Sequence, residues 1–245
     1  MNLLITSVAE RPDLAALLDD FPDSWPEFMY HDSVSPLLYE QLAGAYPQHC
    51  LIAVAGSEPV ARAYTVPFAW AGDPDTDLPS GHDAVILRAA ADRLAGRTPN
   101  LVAAVEVTVR PERRGTGLSA RLLDALRRHT AGLGYASLVV PVRPNGKPGY
   151  PDVPLARYVT WTREDGLPVD PWLRGHIRAG GRIVGVAPCS TTICGTLAQW
   201  RAWTGLPFDA TGPVRVPGAL VPVHCDVTHD VAVYVEPNVW VHHRL

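Results

Sequence analysis

The sequence predicts a mixed α/β fold in which helices flank a central sheet, within a single domain that spans residues 1–245. Two observations lead to this prediction. Strand-like and helix-like segments alternate along the chain, as they do where helices cross over a sheet. The 245 residues, 47% of them hydrophobic, are also enough to bury one full core.

The amino-terminal half predicts two helices, a hairpin, a third helix and a long strand. Ser35 is a suitable helix cap, Pro36 suits the first helical turn, and Pro47 ends the same segment. Gly56 and Ser57 separate two apolar runs, which is typical of a hairpin turn. The predicted strands are 2–8, 50–56, 59–70 and 101–109, and the predicted helices are 12–20, 35–47 and 83–95.

The carboxyl-terminal half predicts further helices and strands. Asp170 is a suitable cap for a helix that Pro171 begins and Gly180 ends, and Pro237 interrupts the last strand. The predicted helices are 118–131, 170–180 and 195–203, and the predicted strands are 135–142, 182–189 and 231–243. Pro- and Gly-rich segments predict insertions at about 71–81, 143–169 and 188–228.

Charge and composition exclude several classes of partner. The net charge is −4, the isoelectric point is about 6.1 and no long basic run occurs, so neither a nucleic acid nor a membrane surface is an expected partner. No apolar run reaches the roughly 18 residues of a membrane span, and the amino end lacks the pattern of a secretory signal. The four cysteines form no CxxC pair. A cytoplasmic location is therefore expected.

The segment RPERRGTGLSARLL, residues 110–123, predicts a turn between a strand and a helix. Such a turn presents free backbone N–H groups and a helix amino terminus to an anion. Gly115 and Gly117 can adopt backbone angles closed to other residues, and Arg113 and Arg114 add positive charge. A turn with no ligand, in which the glycines serve geometry alone, is the alternative.

Two nucleotide-binding motifs compete for this turn. A Walker P-loop requires Lys after its last glycine, and none is present. GTGLSA does match the dinucleotide pattern G-x-G-x-x-A, but no acidic residue ends the following strand, where the ribose contact is expected. A dinucleotide-binding oxidoreductase is therefore kept only as an alternative.

The segment VTVRPERRGTGLSARLLDAL, residues 107–126, resembles the acyl-CoA-binding motif of the GNAT superfamily of N-acyltransferases. In that motif an apolar strand ending V-x-P precedes [Q/R]-x-x-G-x-[G/A] and an amphipathic helix. Ser119 stands where the family usually has Gly or Ala. The order of predicted elements is also similar to that family's. The resemblance implies a splayed central sheet flanked by helices.

The same resemblance implies a function. The acetyl group of acetyl-CoA would pass directly to the amine of a small molecule, with no covalent enzyme intermediate. The CoA pyrophosphate would sit on the amides of the turn, and pantetheine would lie along the preceding strand. A non-catalytic acyl-CoA sensor is a further alternative. The implied CoA-binding residues are Val107, Thr108, Val109, Arg114, Gly115, Thr116, Gly117, Leu118 and Ser119.

Glu106 is the candidate general base, because a carboxylate within the apolar strand LVAAVEVTV is costly unless it faces a wet cleft or has a partner. The alternative is a structural contact with a neighbouring Arg. For the general acid, His176 stands where the family often has a tyrosine, and Tyr158 and Tyr150 are the other candidates. A packed helix histidine is the alternative for His176.

The carboxyl-terminal end contains two further groups of polar residues. The segment YVEPN places Glu236 or Asn238 as a polar specificity group in an acceptor pocket. A zinc site is conceivable but not expected, because no pair has the tight spacing of a structural site and strand alternation scatters the side chains over two faces. The side chains concerned are His224, Cys225, His229, His242 and His243.

Overall fold

Nine strands form one mixed sheet in the computed structural model, which describes residues 3–22, 25–39 and 42–245. The strands are β1 (Leu3–Ser7), β2 (Cys50–Ala55), β3 (Glu58–Phe68), β4 (Leu101–Val109), β5 (Ser137–Val142), β6 (Arg182–Gly195), β7 (Gly212–Val214), β8 (Val223–Asp226) and β9 (Val231–Arg244).

Helices lie on both faces of this sheet. The described α-helices are α1 (Pro36–Tyr39), α2 (Leu42–Ala45), α3 (His82–Leu94), α4 (Leu118–Gly132), α5 (Leu155–Tyr158), α6 (Pro171–Arg178) and α7 (Leu197–Thr204). Short 3-10 helices occupy Pro12–Leu18, Glu27–His31, Pro47–His49, Pro111–Arg113 and Lys147–Gly149.

The sheet consists of two parts that meet where β4 and β5 pair. β1, β2, β3 and β4 are joined in that order by antiparallel pairing, whereas β4 and β5 are parallel. β9 pairs with β6 along one edge and with β8 and then β5 along the other. The short strand β7 pairs with β8 and completes the second part.

The two faces of the sheet bury separate cores, because successive strand residues point to opposite sides. In β2, Leu51 and Ala53 enter the core that packs against α4, while Cys50 and Ile52 enter the core that packs against α3. The buried α4 positions recur every fourth residue, as expected for one apolar stripe on a helix. They include Leu118, Leu122 and Leu126. A third core surrounds Trp200 of α7.

The structure confirms the predicted fold class and most of the element order. Two predicted helices differ. The segment 12–20 is a 3-10 helix over Pro12–Leu18, and the segment 35–47 holds the short α1 and α2, with residues 40 and 41 outside the described part of the chain. The single domain remains a prediction, which we propose because the nine strands share one sheet.

The carboxyl-terminal strands also differ from prediction, because β9 runs unbroken through Pro237. The pairing of β6 with β9 shifts between Ala187 and Thr191, so residues 188–190 form a bulge opposite Pro237. Proline lacks an N–H, and the bulge removes the need for one at that point. The predicted insertion at about 188–228 begins inside β6, and it also contains α7, β7 and β8.

In the described part of the chain, no helix has both the length and the apolar character that a bilayer crossing requires.

The packing of α4 against the sheet predicts the effect of a core substitution. Leu122 is completely buried, so Leu122→Ala should lower the free energy of unfolding by about 2–5 kcal/mol. Leu94, at the end of α3, is 90% exposed, so Leu94→Ala should change the free energy of unfolding by less than about 0.5 kcal/mol. Chemical denaturation measures both values, and equal losses would contradict the assignment of Leu122 to the core.

Candidate active site

The sheet opens between β4 and β5. These strands pair only at Val102 with Leu138 and at Ala103 with Val139. Beyond that point β4 stays paired with β3 as far as Val109, and β5 stays paired with β9 as far as Val142. The β5-facing edge of β4 therefore carries main-chain groups without a strand partner among the described residues.

A β-bulge marks the start of this opening. β3 residues Tyr64 and Thr65 pair with Glu106 and Ala104, so Val105 is the extra residue of β4. The Tyr39 hydroxyl of α1 donates a hydrogen bond to the Val105 carbonyl at 3.2 Å. A side chain from the α3 side of the sheet thus contacts the main chain where the two strands separate.

The glycine turn lies at the open end of β4. Gly115 and Gly117 have φ angles of +76° and +81°, a left-handed conformation that favours glycine. A Cβ atom at either position would meet no other atom within 4 Å, so the turn is open to a ligand. Gly117 caps α4 without a side-chain hydrogen bond, which leaves the first N–H groups of the helix available.

The other predicted CoA-binding residues lie beside this turn. Val107 is half-buried on β4, and Thr108 and Val109 are buried. Arg114 is exposed, and its Nε donates a hydrogen bond to the Val109 carbonyl at 3.4 Å. The Thr116 hydroxyl donates to the Arg113 carbonyl and closes the turn. The predicted residues therefore follow one another from the end of β4 through the turn to the start of α4, where Leu118 is buried in the core and Ser119 is half-buried.

Glu106 has partners. Its Oε1 accepts hydrogen bonds from Arg62 Nε at 2.7 Å and from the Thr108 hydroxyl at 2.8 Å. The Glu106 side chain is only 9% exposed, and Arg62 also donates to the Leu18 carbonyl. The sequence allows Glu106 to be either a general base or the partner of a neighbouring Arg. These contacts are those expected for the second role, a structural ion pair.

His176 lies in the core. The residue is completely buried, its Nδ1 lies 3.0 Å from His243 Nε2, and its Nε2 has no hydrogen-bond partner among the described residues. Burial, with a contribution from His243, lowers the pKa of His176 to about 3. An imidazole that is neutral at physiological pH and shielded from solvent does not suit the predicted role of general acid.

Tyr158 is part of the support for α6. Its hydroxyl donates to Asp170 Oδ2 at 3.1 Å, and Asp170 Oδ1 caps α6 by accepting from the N–H groups of Trp172 and Leu173. Burial raises the pKa of Tyr158, and the nearby Asp170 carboxylate raises it further. Tyr150 packs against the Tyr158 ring and is 47% exposed.

A group that sequence reasoning missed lies beside Tyr39. His82 Nδ1 is 3.1 Å from Asp83 Oδ1, and His82 Nε2 is 3.4 Å from the Tyr39 hydroxyl. Asp32 is also close, with polar atoms of Asp32, His82 and Asp83 all within 4.8 Å of one another. The only sequence signal is an adjacent His-Asp pair at a predicted helix start, and nothing local connects it to residues 32 or 39.

A buried polar network connects β9 to His82, which lies beside Tyr39 and Asp83. Glu236 is 2% exposed and forms an ion pair with Arg143 at 2.9 Å. Asn238 Nδ2 donates to Glu236, while Asn238 Oδ1 accepts from the Ser190 hydroxyl at 2.6 Å. Ser190 Oγ in turn accepts the N–H of His82 at 2.9 Å. Glu236 and Asn238 thus lie inside the network, and their predicted part in specificity stays a prediction.

The side chains weighed for zinc are dispersed. His242 contacts Asp75 and Ser137, whereas His243 contacts His176. Among the described residues, no three of the five come close enough to share an ion.

Comparison with known proteins agrees with this geometry. Arginine N-acetyltransferase avaD of Aspergillus versicolor is 34% identical over an alignment of 274 positions, which covers 98% of this chain and 93% of that protein. No protein-family model matches the chain.

Two solved structures have a similar fold. The loading GNATL domain of CurA from Lyngbya majuscula superposes with a TM-score of 0.57 at 19% identity, covering 99% of this chain and 96% of that one. The GphF GNAT-like decarboxylase, solved with isobutyryl-CoA, gives a TM-score of 0.52 at 16% identity, covering 100% and 99%. The opened sheet, its glycine turn and a nearly full-length arginine N-acetyltransferase relative confirm the resemblance seen in the sequence, and the chain belongs to the GNAT superfamily of N-acetyltransferases.

Proposed function

We propose that this chain transfers the acetyl group of acetyl-CoA to arginine or to a closely similar cationic amine. Acetyl transfer from acetyl-CoA to an amine rests on the nearly full-length N-acetyltransferase relative, and the proposal concerns which amine accepts the acetyl group. Its main support is the 34% identity to an arginine N-acetyltransferase across nearly the whole of both chains. The comparisons give no support to the dinucleotide-dependent oxidoreductase or to the non-catalytic sensor.

Acetyl-CoA fits the opening in two parts. The pyrophosphate would accept hydrogen bonds from the open amides of residues 115–119, where the amino terminus of α4 favours negative charge. Pantetheine would follow β4 along Val107, Thr108 and Val109, whose β5-facing edge has no strand partner. The acyl group then reaches the closed end of the opening, beside Val105.

A cationic acceptor fits the charges near that closed end. Asp32 and Asp83 both lie beside His82, whose ring is within 3.4 Å of the hydroxyl that contacts Val105. Two carboxylates there attract a positively charged substrate, and a neutral one gains nothing from them. We propose that His176 and Tyr158 support α6 and do not transfer protons, because both are buried and bonded inside the fold.

The turn predicts a test of acetyl-CoA binding. Gly117→Asp places a side chain and a negative charge where the phosphates belong, so it should abolish binding. For the parent protein, acetyl-CoA at a hundredfold excess over its Kd should add about 2.7 kcal/mol of stability, measured as a rise in Tm.

Gly56→Asp is the matched control. Gly56 has a φ of +69° and open space around its Cβ position, but it lies in the β2–β3 hairpin turn. This variant carries similar backbone strain and the same charge, and should keep the full acetyl-CoA shift. A Gly117→Asp protein that binds as well as the Gly56→Asp protein would show that the turn is not the phosphate site.

The acceptor proposal predicts a ranking of amines. Arginine should exceed citrulline, its uncharged analogue, by about tenfold or more in kcat/KM, because hydrogen bonds to charged groups contribute about 1.5–3 kcal/mol. Release of free CoA thiol gives the rate, and mass spectrometry identifies the acetylated product. Equal rates for the two would contradict a cationic acceptor while leaving acetyl transfer itself intact.

A further inference from the structure

We propose that His82 is the general base of the reaction, with Asp83 as the residue that orients it and with the Tyr39 hydroxyl between its ring and the opened strand. This inference rests on the proposed acetyl transfer and assigns the proton acceptor within it. Neither the family resemblance nor the relatives point to this residue.

Asp83 fixes which ring nitrogen of His82 carries hydrogen. Asp83 Oδ2 accepts the N–H of Thr192 at 3.0 Å, and Oδ1 faces His82 Nδ1 at 3.1 Å. An ionised carboxylate only accepts hydrogen bonds, so Nδ1 must carry the hydrogen. The lone pair of the neutral ring is then on Nε2, which faces Tyr39.

Tyr39 leaves that lone pair available. Its hydroxyl has one hydrogen, which is directed to the Val105 carbonyl at 3.2 Å. While that hydrogen is donated to the nearer Val105 carbonyl, it does not occupy the lone pair of His82 Nε2, which lies 3.4 Å from the same oxygen. Nε2 thus lies one tyrosine oxygen away from the β4 main chain, at the point where the proposed acyl group ends.

The start of α3 is built to hold His82 in this place. Gly81 has a φ of +142°, and a Cβ atom there would collide with the backbone and side chain of Ser190. That close approach lets Ser190 Oγ accept the N–H of His82 at 2.9 Å, while Ser190 donates to Asn238 at 2.6 Å. β6 therefore supports both residues, His82 through Ser190 in its bulge and Asp83 through the N–H of Thr192, and such rigid support is what a catalytic group requires.

His82 also remains accessible, whereas the other candidates do not. Its side chain is 14% exposed. His49, His176 and His243 are all buried, and burial lowers their pKa values to about 4, about 3 and about 4. Glu106 Oε1 already accepts two hydrogen bonds.

Two carboxylates, those of Asp32 and Asp83, lie close to the His82 ring. Burial raises the pKa values of the neighbouring Tyr39 and Tyr64, so both tyrosines stay neutral. The ionisable groups of the surrounding elements are Asp32, Tyr39, Arg62, Tyr64, Asp83 and Glu106.

The proposed step balances as follows. The acceptor ammonium loses one proton to His82 Nε2, and the resulting amine lone pair forms the N–C bond to the thioester carbonyl. The C–S bond then breaks with its electron pair on sulfur, and the second amine proton ends on that sulfur to give free CoA thiol. His82 returns its proton to solvent, so one proton is released for each acetyl transferred.

The test uses His82→Gln, which keeps a polar side chain of similar length but cannot accept the proton. Its kcat should fall by about 10²–10⁴-fold while the Kd for acetyl-CoA stays unchanged. The kcat/KM profile of the parent should have an acidic limb, and this limb should be absent from the variant. His229→Gln is the matched control, since His229 also pairs with an aspartate, Asp226, but is 74% exposed in the β8–β9 turn.

Asp83→Asn provides the second variant, because an amide can donate to Nδ1 and stabilise the wrong tautomer. We expect at least a tenfold lower kcat and an altered pH profile, with acetyl-CoA binding unchanged. If His82→Gln does not fold, the Asp83→Asn variant tests the assignment of His82 as the general base.

Three results would overturn the assignment: a parental rate and acidic limb in His82→Gln, an unchanged profile in Asp83→Asn, or a Glu106→Gln variant that alone loses the limb. A parent protein that binds no acetyl-CoA or acetylates no amine would instead refute the proposed function, which is a separate outcome.

Discussion

The parallel pairing between β4 and β5 is only two residue pairs long, and this short pairing positions the opening in the sheet on which the proposed site depends. Because the parallel pairing ends at Ala103 and Val139, the two parts of the sheet separate, and the edge of β4 loses its partner in the middle of the molecule. Unpaired main-chain groups inside a fold are costly unless something bonds them. In the proposed complex, a ligand with amides of its own would lie along β4 and meet that requirement, and the glycine turn would receive its phosphates at the open end.

Charge is divided across the same opening. Glu106 and Arg62 neutralise each other within the sheet, and Glu236 and Arg143 do so in the network behind it. Asp32 and Asp83 have no arginine partner among the described residues, and polar atoms of both lie within 4.8 Å of His82. The balance leaves negative charge on the proposed acceptor side and open amides on the proposed CoA side, which suits a reaction between a cation and an anionic thioester.

The sequence could predict what depends on local pattern. Periodicity located most strands and the long helices, and the Arg114–Ser119 turn is readable because its glycines, its strand and its helix are contiguous. Contacts between distant segments could not be read in this way. The partner of Glu106 lies 44 residues away, and Tyr39 lies 43 residues from His82. The general-acid role predicted for His176 rested on its place in a helix motif, which says nothing about the depth at which the helix packs, and the structure buries this residue completely.

Hydrogen–deuterium exchange, with and without acetyl-CoA, is the measurement that tests the central claim most directly, namely that the opening between β4 and β5 is the acetyl-CoA site. Acetyl-CoA should slow exchange at the amides of residues 107–109 and 115–119, and leave the β2–β3 hairpin turn at residues 56–57 unchanged. Binding that protects neither the β4 edge nor the turn, or that protects the hairpin equally, would contradict the claim.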